Sequence, residues 1–481
     1  MKPVLVFCLS VFAQVLIAQS FTEVVGTPFS PASSAAVAFS DVDGDGDEDV
    51  LITGFNYTEQ RISKLYLNDG AANFTNVPNT PFVGVLTGSI AFADVDGDGD
   101  EDVVIAGSTF SDGSKATILY INNGGGEFTM DSSATFISVI GAVAFADIDG
   151  DNDQDLIVSG TKANSVRATK LYLNDGSGAF SEVQAAMFTG VAGDAVAFAD
   201  VDSDGDQDLM ISGFVTTGSG SDKLTNLYLN NGAGSFSIVW GTPFTPVSGS
   251  AIAFGDFDND GDEDVVVGGA TGWSGSNTSL YLNDGFGEFM LKENTPFPGI
   301  SNGEFALSDV DNDGDLDIMM VGSGAGARLY LNDSQANFSL VSGTPFSSVI
   351  ESSAAFSDVD GDGDDDVLIA GYGPLTKLYS NNGEIILSNE KQGLPNDETY
   401  IKVYPNPSMG GPIFVEYESD QTKALNLAVY DINGKMLHSQ KTTAAIGLNK
   451  LTIETGHSLT GVFVIKVDDG NSTSAIRLVV K

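Results

Sequence analysis

The sequence predicts an all-β chain, a seven-bladed β-propeller followed by a small C-terminal β-sandwich. Three observations predict it. An aspartate-rich nonapeptide, "DVDGDGDED" at Asp41, recurs seven times, starting at Asp41, Asp94, Asp147, Asp200, Asp256, Asp309 and Asp358. The intervals of 53, 53, 53, 56, 53 and 49 residues mark a solenoid, a propeller or an array. Each interval holds β-branched and aromatic runs between Gly, Asn and Asp turns, enough for four short antiparallel strands. Seven such units favour a propeller over a linear array, because a closed ring leaves no exposed sheet edge.

The chain opens with "MKPVLVFCLSVFAQVLIAQS". Lys2 supplies a positive start, and Val4–Ala18 is apolar but too short to span a bilayer. Residues 1–19 therefore read as a secretory signal peptide cut near Ala18 or Gln19, leaving no transmembrane segment. The only cysteine, Cys8, falls inside it, so the mature chain has no disulfide and needs another staple.

Residues 20–390 hold the repeats. Each begins with a strand ending in Phe39, Phe92, Phe145, Phe198, Phe254, Leu307 or Phe356 and runs into the acidic loop. A second strand such as "DVLITG" follows, then a variable polar stretch, then a third strand, "KLYLNDG" or a variant. Asn68–Gly70 reads as a tight hairpin turn leading to a fourth strand such as "GSFSIV". A link such as "TPF" leads on. Its Phe29, Phe82, Phe136, Phe188, Phe244, Phe297 or Phe346 reads as inter-blade core, as does the third strand's Tyr66, Tyr120, Tyr172, Tyr228, Tyr281, Tyr330 or Tyr379. Both "FTEVV" (Phe21–Val25) and "GEIIL" (Gly383–Leu387) match a closing fourth strand, and the sequence leaves the choice open.

The acidic loops are the candidate metal sites. Asp41–Val50 packs six carboxylates into ten residues, a density that repels itself unless something positive sits among them. Asp41, Asp43 and Asp45 occupy positions 1, 3 and 5, where alternate side chains of a tight loop converge. Gly46 at position 6 permits the turn, Asp47 at 7 offers its main-chain carbonyl, and Asp49 at 9 offers both oxygens. Calcium takes six to eight such oxygen ligands, whereas zinc or copper would want sulfur or imidazole. An EF-hand needs Glu at position 12 and flanking helices, but Ile52 stands there in a β-branched run. The same positions are Asp94, Asp96, Asp98, Asp100 and Asp102 in the second copy; Asp147, Asp149, Asp151, Asp153 and Asp155 in the third; and Asp200, Asp202, Asp204, Asp206 and Asp208 in the fourth. Asp256, Asp258, Asp260, Asp262 and Asp264 form the fifth; Asp309, Asp311, Asp313, Asp315 and Asp317 the sixth; and Asp358, Asp360, Asp362, Asp364 and Asp366 the seventh. The third copy has Asn152 at position 6, which tolerates the left-handed conformation. The expectation is about one Ca2+ per blade, seven in all.

The net charge of −46 argues against nucleic acid and anionic membranes as partners. It is unevenly spread, since residues 402–481 hold 8 Lys+Arg against 7 Asp+Glu. Residues 391–401 read as a linker and 402–481 as the sandwich, with Asn-Gly and Asp-Gly turns between alternating strands. The only histidines, His438 and His457, lie there and read as surface residues.

No catalytic constellation is visible in the propeller, which has neither His nor Cys. The stretches between second and third strands vary most and fall on the face opposite the acidic loops, where binding usually lives. Tyr57, Arg61, Phe110, Phe214 and Trp273 are the candidates for contact with an extracellular glycan or protein. The expectation is a monomeric adhesion or binding module; a polysaccharide-lyase-like enzyme and a passive surface or matrix protein are the alternatives.

The units typified by "AFADVDGDGDEDVVIAG" (Ala91–Gly107) resemble the FG-GAP/VCBS repeats of integrin-α-like propellers, over residues 20 to about 390. That resemblance implies structural calcium on loop positions 1, 3, 5, 7 and 9 of each copy. The "YPNP" of Tyr404–Pro407, "VYDINGK" and the final Lys-ended strand resemble the type A sorting domain of the Bacteroidota type IX secretion system. This implies passage through the periplasm and outer membrane by that machinery, then release or attachment at the cell surface.

Overall fold

The computed structural model describes residues 18–385 apart from 110–113, 164, 185–187, 218–219, 273–274 and 374. It also describes residues 401–404, 413–419, 422–431, 436–453, 461–468 and 473–480. Residues 1–17 of the expected signal peptide and 391–400 of the expected linker lie outside these. The chain divides into two compact units, Met1–Leu387 and Ser388–Lys481. Every element among the described residues is a strand, and no helix there is long and apolar enough to cross a membrane.

Among its described residues the first unit forms seven four-stranded antiparallel sheets. In the first repeat the strands are Ser33–Ser40, Asp49–Asn56, Gln60–Leu67 and Thr75–Asn76. The second strand is a continuous apolar run because both its faces are covered; Val50, Leu51 and Ile52 are all fully buried. The first strand of each sheet packs against the first strand of the next. The series returns on itself, since Ile350–Ser357 of the seventh sheet packs against Ser33–Ser40 of the first. The arrangement is propeller-like.

The seventh sheet is built from both ends of the unit. Ala18–Glu23 pairs with Leu375–Ile385, with Phe21 opposite Asn381 and Glu23 opposite Tyr379. The N-terminal segment thus takes the outer place, and Gly383–Ile385 extends the third strand beside it, Ile385 facing Ala18. This resolves the choice that the sequence left open.

The link phenylalanines and strand tyrosines meet in seven equivalent clusters. Each link Phe lies edge-on to the Tyr of its repeat, with centroids 5.0–5.3 Å apart. A second Phe lies 4.9–5.2 Å from each link Phe, and for Phe346 that partner is Phe21 from the N-terminal strand. Each such pair contributes about 0.5–1.5 kcal/mol beyond the area it buries. Six of the tyrosine hydroxyls accept the N–H of the residue after the link Phe, as Ser30 donates to Tyr66 at 2.9 Å. In the sixth repeat that residue is Pro298, which has no N–H, and the buried Tyr330 hydroxyl has no partner.

In the second unit, Ile401–Tyr404, Ile413–Ser419 and Gly447–Ile453 form one sheet. Met436–Ala444, Lys423–Asp431, Gly461–Asp468 and Thr473–Val480 form another, in that order. One apolar cluster draws on both: Ile413, Val415 and Ile453 from the first, Leu425, Leu427, Val429, Ile465 and Val467 from the second.

The odd sixth cluster gives a paired prediction. Tyr66→Phe strands the Ser30 N–H and should cost about 1–3 kcal/mol, read as a lower urea midpoint. Tyr330→Phe removes an unsatisfied hydroxyl and should leave the midpoint unchanged or raise it.

Candidate metal centres

Each acidic loop joins the first and second strands of its sheet and is shaped by its own carboxylates. The position-1 side chain folds inward: Asp41 Oδ2 accepts the Gly46 N–H at 3.0 Å. The equivalent bond from the residue at position 6 spans 2.9–3.0 Å in the other six copies. Position 6 has φ between 70° and 98° throughout, including Asn152 at 70°. Position 4 is left-handed as well, which the sequence reading missed; Ser203, Asn259 and Asn312 adopt φ of 57–58° there. The apolar residue at position 2, such as Val42 or Phe257, is buried and pins the loop to the core.

Position 3 points into the loop. The Oδ1 atoms of Asp43, Asp96, Asp149, Asp202 and Asp258 are shielded from solvent and accept no hydrogen bond. One oxygen each of Asp41, Asp43 and Asp45 lies within 4.8 Å of the others, as in the set Asp256, Asp258 and Asp260. In the intervening copies the sets are Asp94, Asp96 and Asp102; Asp147, Asp149 and Asp155; and Asp200, Asp202 and Asp208. A buried anionic oxygen without a donor is costly unless a cation faces it. These residues fit a hard divalent ion bound by oxygen alone.

Positions 7 and 9 have further duties. The position-7 carboxylate leans on the turn after the third strand, so that a Cβ added at Gly70 would lie 2.4 Å from both Asp47 oxygens. Gly124, Gly176, Gly232 and Gly285 stand in the same relation to Asp100, Asp153, Asp206 and Asp262. In the sixth repeat Ser334 replaces this glycine and its hydroxyl donates to Asp315 at 2.6 Å. That leaves the main-chain carbonyl as the group position 7 can turn to the loop. The sequence reading gave the metal both oxygens of position 9, but in six copies each already accepts a main-chain N–H, while in the seventh only Asp366 Oδ1 does and its Oδ2 is buried without a partner. In the first copy Asp49 Oδ2 takes the N–H of Val42 at 3.1 Å and Oδ1 that of Asn68 at 2.8 Å.

Asn68 is not part of a two-residue turn. The connection runs from Asn68 to Phe74, and the Asn68 side chain reaches the loop of the seventh repeat, donating to the Val359 carbonyl at 2.9 Å. Asn122, Asn174, Asn230, Asn283, Asn332 and Asn381 donate likewise to the position-2 carbonyl of the repeat before, at 2.7–2.9 Å. The signal was present, since Asn follows the core Tyr by two residues in all seven copies while the next residue alternates between Asp and Asn.

Burial is the main cause that pushes the position-9 carboxyls up. Asp49, Asp102, Asp155, Asp208, Asp264 and Asp366 reach about 7 and Asp317 about 8, against the pull of their N–H donors. Asp43, Asp96, Asp149, Asp202 and Asp258 are also raised, by burial first and by neighbouring carboxylates second.

Of the ligand-face candidates, Tyr57 lies between the second and third strands of the first sheet and is 58% exposed. Arg61 begins the third strand of that sheet, half-buried, and Phe214 stands near the end of the second strand of the fourth. Phe110 and Trp273 lie outside the described residues.

Two outcomes follow from this geometry. Asn174→Ala should cost about 1–3 kcal/mol, read as a lower urea midpoint, because it orphans the buried Val95 carbonyl, while Asp175→Ala on the exposed turn should cost less. In chain stripped of divalent ions, the position-9 acids have folded pKa values above their unfolded ones. Their protonated form therefore stabilises the fold below about pH 4, and the benefit is lost as pH rises through about 7–8. The urea midpoint of stripped chain should fall from pH 5 to pH 8; a rise would contradict the burial.

Five stretches of the chain, residues 41–105, 94–158, 159–211, 214–267 and 309–369, match the FG-GAP-like repeat family. Residues 402–481 match the secretion system C-terminal sorting domain. No curated protein matches. Among solved structures, a triple-arginine mutant of AofleA from Arthrobotrys oligospora is 12% identical, with 76% of this chain and 88% of that one covered at a TM-score of 0.35. A glycoside hydrolase family 43 arabinoxylan arabinofuranohydrolase from Bacillus subtilis, in complex with cellotetraose, is 11% identical, with 81% and 93% covered at 0.25. At these scores neither relation defines a shared fold. The chain belongs to the FG-GAP-like repeat family and carries a C-terminal type IX sorting domain, which marks it for secretion to the outer surface or beyond.

Proposed function

We propose that the repeats form a closed seven-bladed propeller, held by calcium in its acidic loops, that binds a glycan or protein outside the cell through the opposite face. Closure is supported by the packing of the seventh sheet on the first and by the Asn68 bond to Val359. Calcium is supported by the unpartnered Oδ1 atoms of Asp43, Asp96, Asp149, Asp202 and Asp258 among clustered carboxylates. The reading of the sorting domain as a small β-sandwich is supported by two sheets around one apolar cluster.

The observation that carries the binding role is an aromatic patch across the first and seventh sheets. Tyr57 and Tyr372 are 58% and 50% exposed, and the nearby Tyr372 hydroxyl raises the pKa of the Tyr57 hydroxyl. Phe55 meets Tyr57 edge-on at 5.4 Å. Flat exposed rings with polar edges suit sugar faces and peptide side chains alike.

Glycan arrays and pull-downs with residues 20–390 should yield a ligand that Tyr57→Ala/Tyr372→Ala loses at least about tenfold. Binding that ignores this double change would move the site elsewhere. The metal claim has its own sign test in Asp149→Asn, which relieves carboxylate repulsion but removes a ligand. It should raise the melting temperature of stripped chain and lower that of calcium-loaded chain. A site held at 100 times its dissociation constant contributes about 2.7 kcal/mol.

A further inference from the structure

Position 4 of each acidic loop sits against the next repeat. A Cβ added at Gly97, Gly150 or Gly361 would lie 3.5–3.9 Å from the carbonyl of Gly176, Gly232 or Gly70, each on the turn after the third strand of the following sheet. Those turns rest on the position-7 carboxylates of their own loops. A side chain at position 4 is therefore placed to touch the neighbouring loop. The first, second, third and seventh loops have glycine there and the fourth has Ser203, but the fifth has Asn259 and the sixth Asn312.

Both asparagines reach across. Asn259 Nδ2 donates to Asp315 Oδ1, at position 7 of the sixth loop, at 2.5 Å. Asn312 Nδ2 donates to Asp364 Oδ1, at position 7 of the seventh, at 2.8 Å. Asp315 and Asp364 are 3% and 4% exposed, whereas Asp47, Asp100, Asp153, Asp206 and Asp262 are half-buried. Other contacts join the same three loops. Ser308, just before the sixth loop, donates its hydroxyl to Asp365 at position 8 of the seventh, at 2.6 Å. The matching hydroxyls before the first and seventh loops, Ser40 and Ser357, are buried without a partner. Phe257, the only aromatic residue at position 2, meets Phe338 of the sixth repeat edge-on at 5.8 Å.

We infer that Asn259 and Asn312 are positioning residues that join the fifth, sixth and seventh metal loops into one cooperative set. This rests on the calcium reading of the loops and divides seven like sites into two kinds. Position 4 lies between two aspartates of the candidate ligand set. Once positions 3 and 5 of the fifth loop are held, Asn259 is held between them, and with it Asp315 and the main-chain carbonyl that Asp315 carries. Asn312 passes the same constraint to Asp364. A site whose residues are already ordered loses less entropy on binding, so each filled loop favours the next. The effect is reciprocal, since coupling between two binding equilibria acts equally in both directions.

The test titrates full chain, stripped of divalent ions, with calcium chloride and counts bound ions by native mass spectrometry. The native chain should gain three ions together over one narrow calcium range, apart from the other four. Asp258→Asn removes a ligand from the fifth loop. It should weaken that ion and, in addition, weaken a second at least about fivefold. Asp96→Asn in the second loop should weaken one ion alone. With Asn259→Gly/Asn312→Gly present, Asp258→Asn should also weaken one ion alone; glycine suits the left-handed φ at position 4, so the backbone stays unstrained. A second ion weakened despite the glycines, or weakened equally by Asp96→Asn, would overturn the inference. So would glycine variants that melt earlier, stripped and loaded alike, yet take up ions as the native chain does, since the asparagines would then be struts. If seven ions fill independently, the coupling is wrong and the calcium reading stands. If the folded chain takes up no calcium, both fall.

Discussion

The structure depends on how crowded aspartates are held. Each loop keeps several carboxylates within one turn, and in all but the seventh its last aspartate is buried where two main-chain N–H groups meet. One belongs to position 2 of the same loop and the other to the asparagine that ends the third strand. That asparagine reaches into the preceding repeat and holds position 2 there. Loop, strand end and neighbouring loop are therefore one hydrogen-bonded relay passing from repeat to repeat. In the proposed calcium form the cation neutralises the acids that burial otherwise drives toward protonation. A single event would then set the loop, seat position 2 in the core and brace the neighbour. The repeats contain no cysteine, the one in the chain being Cys8, so no disulfide braces them.

The two faces of the repeat unit divide the work. The loop face is nearly uniform because every copy must satisfy the same charge and hydrogen-bond constraints. The opposite face is constrained only by strand ends, so Tyr57, Arg61 and Phe214 can differ between copies. Departures within the uniform face are compensated locally. Asn152 takes the left-handed φ that glycine takes elsewhere, and Ser334 turns its hydroxyl onto the aspartate that a glycine otherwise accommodates. Pro298 is the exception, leaving the Tyr330 hydroxyl alone.

Much of this was legible in the sequence because repetition amplifies weak signals. Aspartates at alternate positions, a left-handed residue at position 6, and Phe and Tyr at fixed offsets each recur seven times, and each has one physical use. What was illegible depends on distant partners. Asn68 looks like the start of an Asn-Asp-Gly turn, yet its role is set by a carbonyl 291 residues away. The closing strand was ambiguous because Phe21–Val25 and Gly383–Leu387 fit one template. Phe21–Glu23 and Gly383–Ile385 both enter the seventh sheet, and only pairing shows that one borders the other. The position-9 carboxylates looked like free bidentate ligands because one main-chain donor lies at the end of another strand and the other is turned inward only by the folded loop.

The central claim is that cations, one per loop, hold the acidic loops together. Native mass spectrometry of the calcium-equilibrated repeat unit tests it most directly. The account predicts seven ions per chain, lost together as the unit unfolds. A folded unit that carries none would contradict it.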